Sequence, residues 1–169
     1  MEEMATIMPS LIAGYAGENR WYLEALGIAA TKKELAIYNQ WVRPDLKASS
    51  PASWDARAKN LAWRFHTPEA IEDLFAVITA QKPAIEEFRH LAMAFASFRS
   101  DADRRDRAAK LSELAKMDAF AGEDYQITIV SMSDNVVFSP KAVGTSRLLF
   151  TYSPFKSFKS RRRISSIVI

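Results

Sequence analysis

The sequence predicts an α+β protein that is mainly α, a bundle of five or six helices followed by a small C-terminal antiparallel β-ribbon and an extended basic arm. Three observations carry that expectation. Apolar residues recur at intervals of three and four along most of the first 117 positions. After Gly122 the period changes to two, in a stretch rich in β-formers. Finally, residues 141–169 carry 7 Lys/Arg and no acid, whereas residues 1–140 carry 16 Lys/Arg and 20 Asp/Glu. The chain therefore divides into a helical body (1–122), a β hairpin or ribbon (123–153) and a basic C-terminal arm with an apolar end (154–169).

Each element has a local reason. A first helix is expected over 10–26, with Leu11, Tyr15, Tyr22 and Leu26 on one stripe and Gly27 as its stop. Within it, Gly14-Tyr15-Ala16-Gly17 marks either close helix packing or a break. Thr31-Lys32-Lys33-Glu34 has the pattern of a capping box. It opens a helix that turns Leu35, Tyr38, Trp41 and Val42 inward and ends before Pro44. Residues 43–52 read as a surface loop, after which Ser53 caps a third helix carrying Trp54, Ala58, Leu61 and Phe65. Thr67-Pro68-Glu69 is a start signal, with a hydroxyl at the N-cap, proline at the first helical position and an acid in the first turn. Ile71, Leu74, Phe75 and Ile78 form the buried face of that helix. Pro83 opens the next, lined by Phe88, Leu91, Phe95 and Phe98. A last helix begins near Asp101 or Asp103, carries Leu111, Leu114 and Met117, and stops near Gly122.

In the ribbon, Tyr125, Ile127 and Ile129 alternate with Gln126, Thr128 and Val130. Ser133-Asp134-Asn135 is turn chemistry, and Val136-Val137-Phe138 is the returning arm. A third strand is expected over 147–152, with Leu148, Phe150 and Tyr152 on one face.

Composition excludes several functional classes. The chain has no cysteine, which removes disulfide scaffolds, thiolate nucleophiles, zinc fingers and iron–sulfur sites. The opening Met1-Glu2-Glu3-Met4 is acidic where a secretory leader is positive, and the apolar run after it is cut by Pro9, Glu18 and Arg20. The expectation is a cytoplasmic protein with no signal peptide and no transmembrane segment. With 5 glycines the chain holds neither a Walker A loop nor a dinucleotide fingerprint, and it has no Gly-x-Ser-x-Gly elbow.

Candidate chemistry is sparse. Glu87-Phe88-Arg89-His90 has the Glu-x-x-His spacing of a di-iron bundle, but such a site needs the motif twice, and Trp63 stands where His66 would need its glutamate. The expectation is no metal and no cofactor. Glu69, Glu72, Asp73, Glu86 and Glu87 cluster in sequence and read as a solvated acidic face. The run from Arg99 to Arg107 reads as an exposed helix whose Asp103–Arg107 and Asp106–Lys110 pairs neutralise one another. The 4 Trp, 5 Tyr and 10 Phe fall mostly on the apolar stripes and read as core.

The feature above this background is the C-terminus. Lys156, Lys159, Arg161, Arg162 and Arg163 place five positive charges within eight residues, with Phe155 and Phe158 between them and no acid alongside. Such a cluster gains by displacing counterions from a polyanion. Nucleic acid, an anionic membrane surface and an acidic protein patch are the possible counterparts, the membrane being the least favoured, and a solubilising tail is the plain alternative. Ile164, Ile167, Val168 and Ile169 form an apolar, β-branched ending suited to pairing with a sheet edge. Arg162-Arg163-Ile164-Ser165 also has the pattern of a basophilic kinase site.

The functional expectation is a non-enzymatic structural, assembly or interaction protein, a homo-oligomer or part of a larger complex, whose arm contacts a polyanion or a neighbouring subunit. The alternatives are a small nucleic-acid-binding regulator and an enzyme with an interhelical carboxylate/His site at Glu87 and His90.

Overall fold

In the computed structural model, residues 2–98 and 100–138 are described, and they belong to one compact, mostly helical unit. The α-helical segments are α1 (Glu2–Ala13), α2 (Arg20–Ala29), α3 (Glu34–Ile37), α4 (Arg43–Lys47), α5 (Ala56–Phe65), α6 (Pro68–Gln81), α7 (Ile85–Ala92), α8 (Asp101–Ala115) and α9 (Glu123–Phe138). No strand occurs among the described residues, and no described helix is long and apolar enough to cross a membrane.

The core is one cluster. α5 packs on α2 and α6, α7 and α8 pack on α9, and α6 touches α8. Phe65, Ile71, Leu74, Phe88, Phe95, Leu111 and Leu114 are buried at its centre, in line with the predicted stripes. Local signals act as expected where they need only a few neighbouring residues. The Thr67 hydroxyl accepts from Ala70 N at 3.2 Å, Pro68 occupies the first helical position and Glu69 the first turn. α8 starts at Asp101, one of the two expected positions, and its cap is Ser100, a residue not singled out from the sequence, which accepts from Asp103 N at 3.1 Å.

The predicted 10–26 helix is two helices. α1 begins far earlier and runs through Pro9, because Met8 and Ile12, one turn apart, are both buried. The chain then breaks at 14–19. Gly17 has φ +104°, and a Cβ there would lie 3.0–3.1 Å from the Arg57 backbone and Cβ, so two independent constraints demand glycine. Tyr15 and Tyr22 nonetheless meet across the break, stacked with centroids 6.0 Å apart. Gly27 does not stop α2. It lies inside the helix, beneath the Arg64 guanidinium.

The capping box at 31–34 does not form. Thr31 Oγ1 donates back to Gly27 O at 3.4 Å, and Lys33 stands at the N-cap of α3 with no side-chain bond to the helix. Nor does helical structure end before Pro44. A π-helical segment, Tyr38–Val42, joins α3 to α4, with Pro44 in the first turn of α4. Widening one turn before the proline lets the chain pass a residue that offers no N–H. The expected loop at 43–52 is thus partly helix, and Asp55, not Ser53, caps α5 through Ala58 N at 2.8 Å.

The largest correction concerns the ribbon. Residues 125–130 and 136–138, taken from the sequence as two strands joined at 133–135, all lie in α9. The period-two run hides a helical one: Tyr125, Thr128, Ile129 and Met132 are spaced by three, one and three and pack against the body, while Ile127 and Val130 point out. Tyr125 O–H donates to Pro83 O at 3.0 Å, and Gln126 Nε2 donates to Ala115 O and Phe120 O at 3.1 and 2.8 Å. Those contacts outweigh the β preference of Ile, Thr and Val, which is worth at most ~1 kcal/mol per residue. The third strand (147–152) and the arm (154–169) lie outside the described residues.

Candidate functional site

Lys156, Lys159, Arg161, Arg162 and Arg163, together with Ile164, Ile167, Val168 and Ile169, all lie outside the described residues. Within the body, polar chemistry gathers where α2, α5 and α7 meet.

α5 organises this junction. Its Arg57 donates from Nε to Tyr15 O (2.7 Å) and from Nη2 to Ile12 O (3.0 Å), closing the carbonyl end of α1. Asn60, one turn on, donates from Nδ2 to Gly17 O at 2.9 Å, and the Tyr15 hydroxyl donates to the same oxygen at 2.9 Å. Because Asn60 spends its N–H on Gly17, its Oδ1 faces His90 Nε2 at 3.1 Å, which makes Nε2 the protonated nitrogen of the neutral ring. The imidazole also stacks on the Trp63 indole, with centroids 4.6 Å apart and planes at 27°. Burial, helped by the nearby Arg20 charge, holds His90 below the ordinary imidazole value, against the opposing pull of Glu87.

Trp63 stands between two open cavities. The first, about 160 Å³, is lined by Tyr15, Glu18, Arg20, Leu23, Asn60, Trp63 and His90. The second, about 210 Å³, is lined by Glu24, Trp63, Arg64, His66, Met93, Ala94 and Ser97. Both fall below the size of an ordinary drug-like site, which starts at roughly 300 Å³.

Glu87 and His90 have different bonding partners. Glu87 is ion-paired with Lys59, which also donates to Gln81 Oε1 at 3.1 Å, while His90 bonds to Asn60, an amide that cannot relay a proton. No group of three or more His, Asp or Glu that could hold a metal occurs among the described residues.

Two charged residues depart from their predicted surface roles. Asp73, expected on a solvated face, has a side chain only 1% exposed. It accepts from the Tyr38 hydroxyl (2.9 Å) and from Arg43 Nε (3.0 Å), and Lys47 Nζ approaches at 2.7 Å. Burial and the adjacent carboxylate push the Tyr38 phenol far above its ordinary range, so it remains a donor. This cluster ties the π-helical segment and α4 to α6. Arg107, expected within an exposed charge run, is 2% exposed and donates to Ala94 O (2.7 Å) and His66 O (2.9 Å). The Asp106–Lys110 pair of the same run does form, at 2.6 Å.

Among the described residues, two surface features differ from the sequence reading: Leu35, expected inward, is 46% exposed, and α2 carries exposed apolar residues. Trp21 is 84% exposed and Ile28 70% exposed, on one face of α2. The available signal was that α2 carries apolar residues on every side, which leaves part of them uncovered in a surface helix.

No family model matches the chain, and no curated protein and no solved structure matches it.

Proposed function

We propose that the chain is a non-enzymatic interaction protein whose basic C-terminal residues Lys156, Lys159, Arg161, Arg162 and Arg163 engage a polyanion or an acidic neighbouring subunit. One observation supports this reading most directly. Several cations of the body pair with its own acids, Arg43 and Lys47 with Asp73, Lys59 with Glu87, Arg64 with Glu24, Arg89 with Glu86, Arg104 with Asp101 and Lys110 with Asp106. Residues 141–169 contain 7 Lys/Arg and no acid. A polyanion is then attracted to the C-terminal cluster more than to the body.

The test uses the full-length chain and a variant with those five residues changed to Gln. Binding to a labelled DNA duplex is followed by anisotropy across a salt series, with mass in solution measured in parallel. A polyanion contact by all five predicts a log–log salt slope of about −4.5, from roughly 0.9 per phosphate neutralised, lost in the variant. A contact with a neighbouring subunit predicts no such slope but a smaller assembly in the variant. A variant that binds and assembles like the parent chain overturns the reading. A regulator of nucleic acid, the second reading, additionally predicts preference for one duplex sequence over another at equal salt.

A further inference from the structure

We propose that the outer face of α2 is a two-fold contact between copies of this chain, packed antiparallel about Ala25. At about 100° per residue, Trp21, Ala25, Ile28 and Ala29 form a continuous strip, and all four are exposed. Leu23, Leu26 and Gly27 occupy the opposite, buried arc. The helix's two charges, Arg20 and Glu24, sit together at one edge of the strip, 3.8 Å apart, with Glu24 also held by Arg64 at 3.2 Å. The strip itself carries no charge. α2 is thus apolar on both sides, and only one side is covered within the body.

The pattern along the strip fits a second copy of itself. A large side chain, a small one and a large one follow in order. Turned antiparallel about Ala25, Trp21 lies against Ile28 of the partner subunit, and the reverse contact follows by symmetry. The alanine at the crossing lets the two backbones approach. The ends of α2 agree with the same direction. Glu18 precedes the helix, Lys32 and Lys33 follow it, and all three are exposed. Antiparallel packing brings the acid of each copy toward the two lysines of the other, whereas parallel packing sets like charges together. It also opposes the two helix dipoles favourably.

The area sets the strength. Trp21 offers roughly 200 Å² and the whole strip about 400 Å² per copy, which places the contact among weak, concentration-dependent interfaces. The contact extends the interaction reading above to one named partner, yet uses none of the basic C-terminal residues, so the two can fail separately.

Sedimentation equilibrium of the full-length chain from about 10 to about 500 µM should show the mean mass climbing from one chain toward two. The Trp21→Asp/Ile28→Asp variant should keep its far-UV spectrum and stay at the mass of one chain throughout. Because the chain has no cysteine, a single introduced thiol reports geometry without background. Ala25→Cys, near the two-fold axis, should form a disulfide-linked dimer under mild oxidation. Ala29→Cys lies about 12 Å along the helix from its symmetry mate and should not, since a disulfide needs Cα atoms within about 7 Å. Ala109→Cys, on the exposed side of α8, should not link either. A monomer at every concentration, a double variant that associates like the parent, or Ala29→Cys linking as readily as Ala25→Cys overturns the proposal.

Discussion

Arg107 shows how a single side chain can hold two elements. Its guanidinium serves the carbonyls of His66, at the left-handed end of α5, and of Ala94, in the 3₁₀ turn after α7. Arg107→Met preserves the length of the stem but leaves both acceptors without that donor. The expected loss is about 2–4 kcal/mol in a urea denaturation, against under ~1 kcal/mol for Arg105→Met on the exposed side of the same helix. His90 gives a pH-dependent prediction. Its folded-state pKa lies below the ordinary 6.5, so the unfolded chain takes up a proton more readily as pH falls. Stability should therefore decline as pH falls through about 6.5 and below, and His90→Gln should flatten that part of the profile. Urea midpoints across this window measure it, and an equal slope in both proteins would rule the assignment out. Both residues were visible in the sequence, yet their roles were not. An arginine in a charge run and a histidine three positions after a glutamate look the same whether they face water or carbonyl oxygens.

At the level of elements, Gly27 lies inside α2 against the Arg64 side chain. A Cβ there would sit 1.8 Å from Arg64 Cζ, so the glycine is a seat for the guanidinium that pairs with Glu24. Gly27→Ala alone should change stability little, because the helix gains up to ~1 kcal/mol of propensity while the ion pair is displaced. In an Arg64→Ala background the obstacle is gone, and the same substitution should stabilise by about 0.5–1 kcal/mol. The non-additivity, read from a double-mutant cycle, is the signature of the seat. A strictly additive pair would show that Arg64 does not rest there. Helix α6 was legible residue by residue because its start depends on Thr67, Pro68 and Glu69 alone. α9 was not, since Tyr-Gln-Ile-Thr-Ile-Val satisfies both a strand period and the 125/128/129/132 helical face. The decisive contacts come from Pro83, Ala115 and Phe120, as many as 42 positions away.

For the molecule as a whole, Phe88, Phe120 and Tyr125 form a closed aromatic triangle, with centroids 5.1–5.6 Å apart, that joins α7, the turn at Asp118–Phe120 and α9. Phe88 is fully buried. Phe88→Ala should cost about 3–5 kcal/mol, and the far-UV and tryptophan signals should still be lost in one transition. Separate melting of part of the helical signal, with tryptophan fluorescence retained, would show that α9 is not integrated into this core. The charge balance belongs to the same scale. The net +3 of the chain is an average over residues 1–140, with 16 Lys/Arg and 20 Asp/Glu, and residues 141–169, with 7 Lys/Arg and no acid.

Helical content over most of the chain, the cap at Thr67 and the separation of charge are properties of short-range pattern, so they can be read from residues a few positions apart. The paths through Pro9 and Pro44, the helical state of 123–138 and the inward turn of Asp73 and Arg107 are not. Each balances a local preference of order 1 kcal/mol against burial and hydrogen bonds supplied by distant segments, and those become known only when the chain is folded. The same holds for α2. Its apolar residues are plain in the sequence, but which of them the body covers, and that Trp21 and Ile28 remain outside, follows from how α5 lies against it.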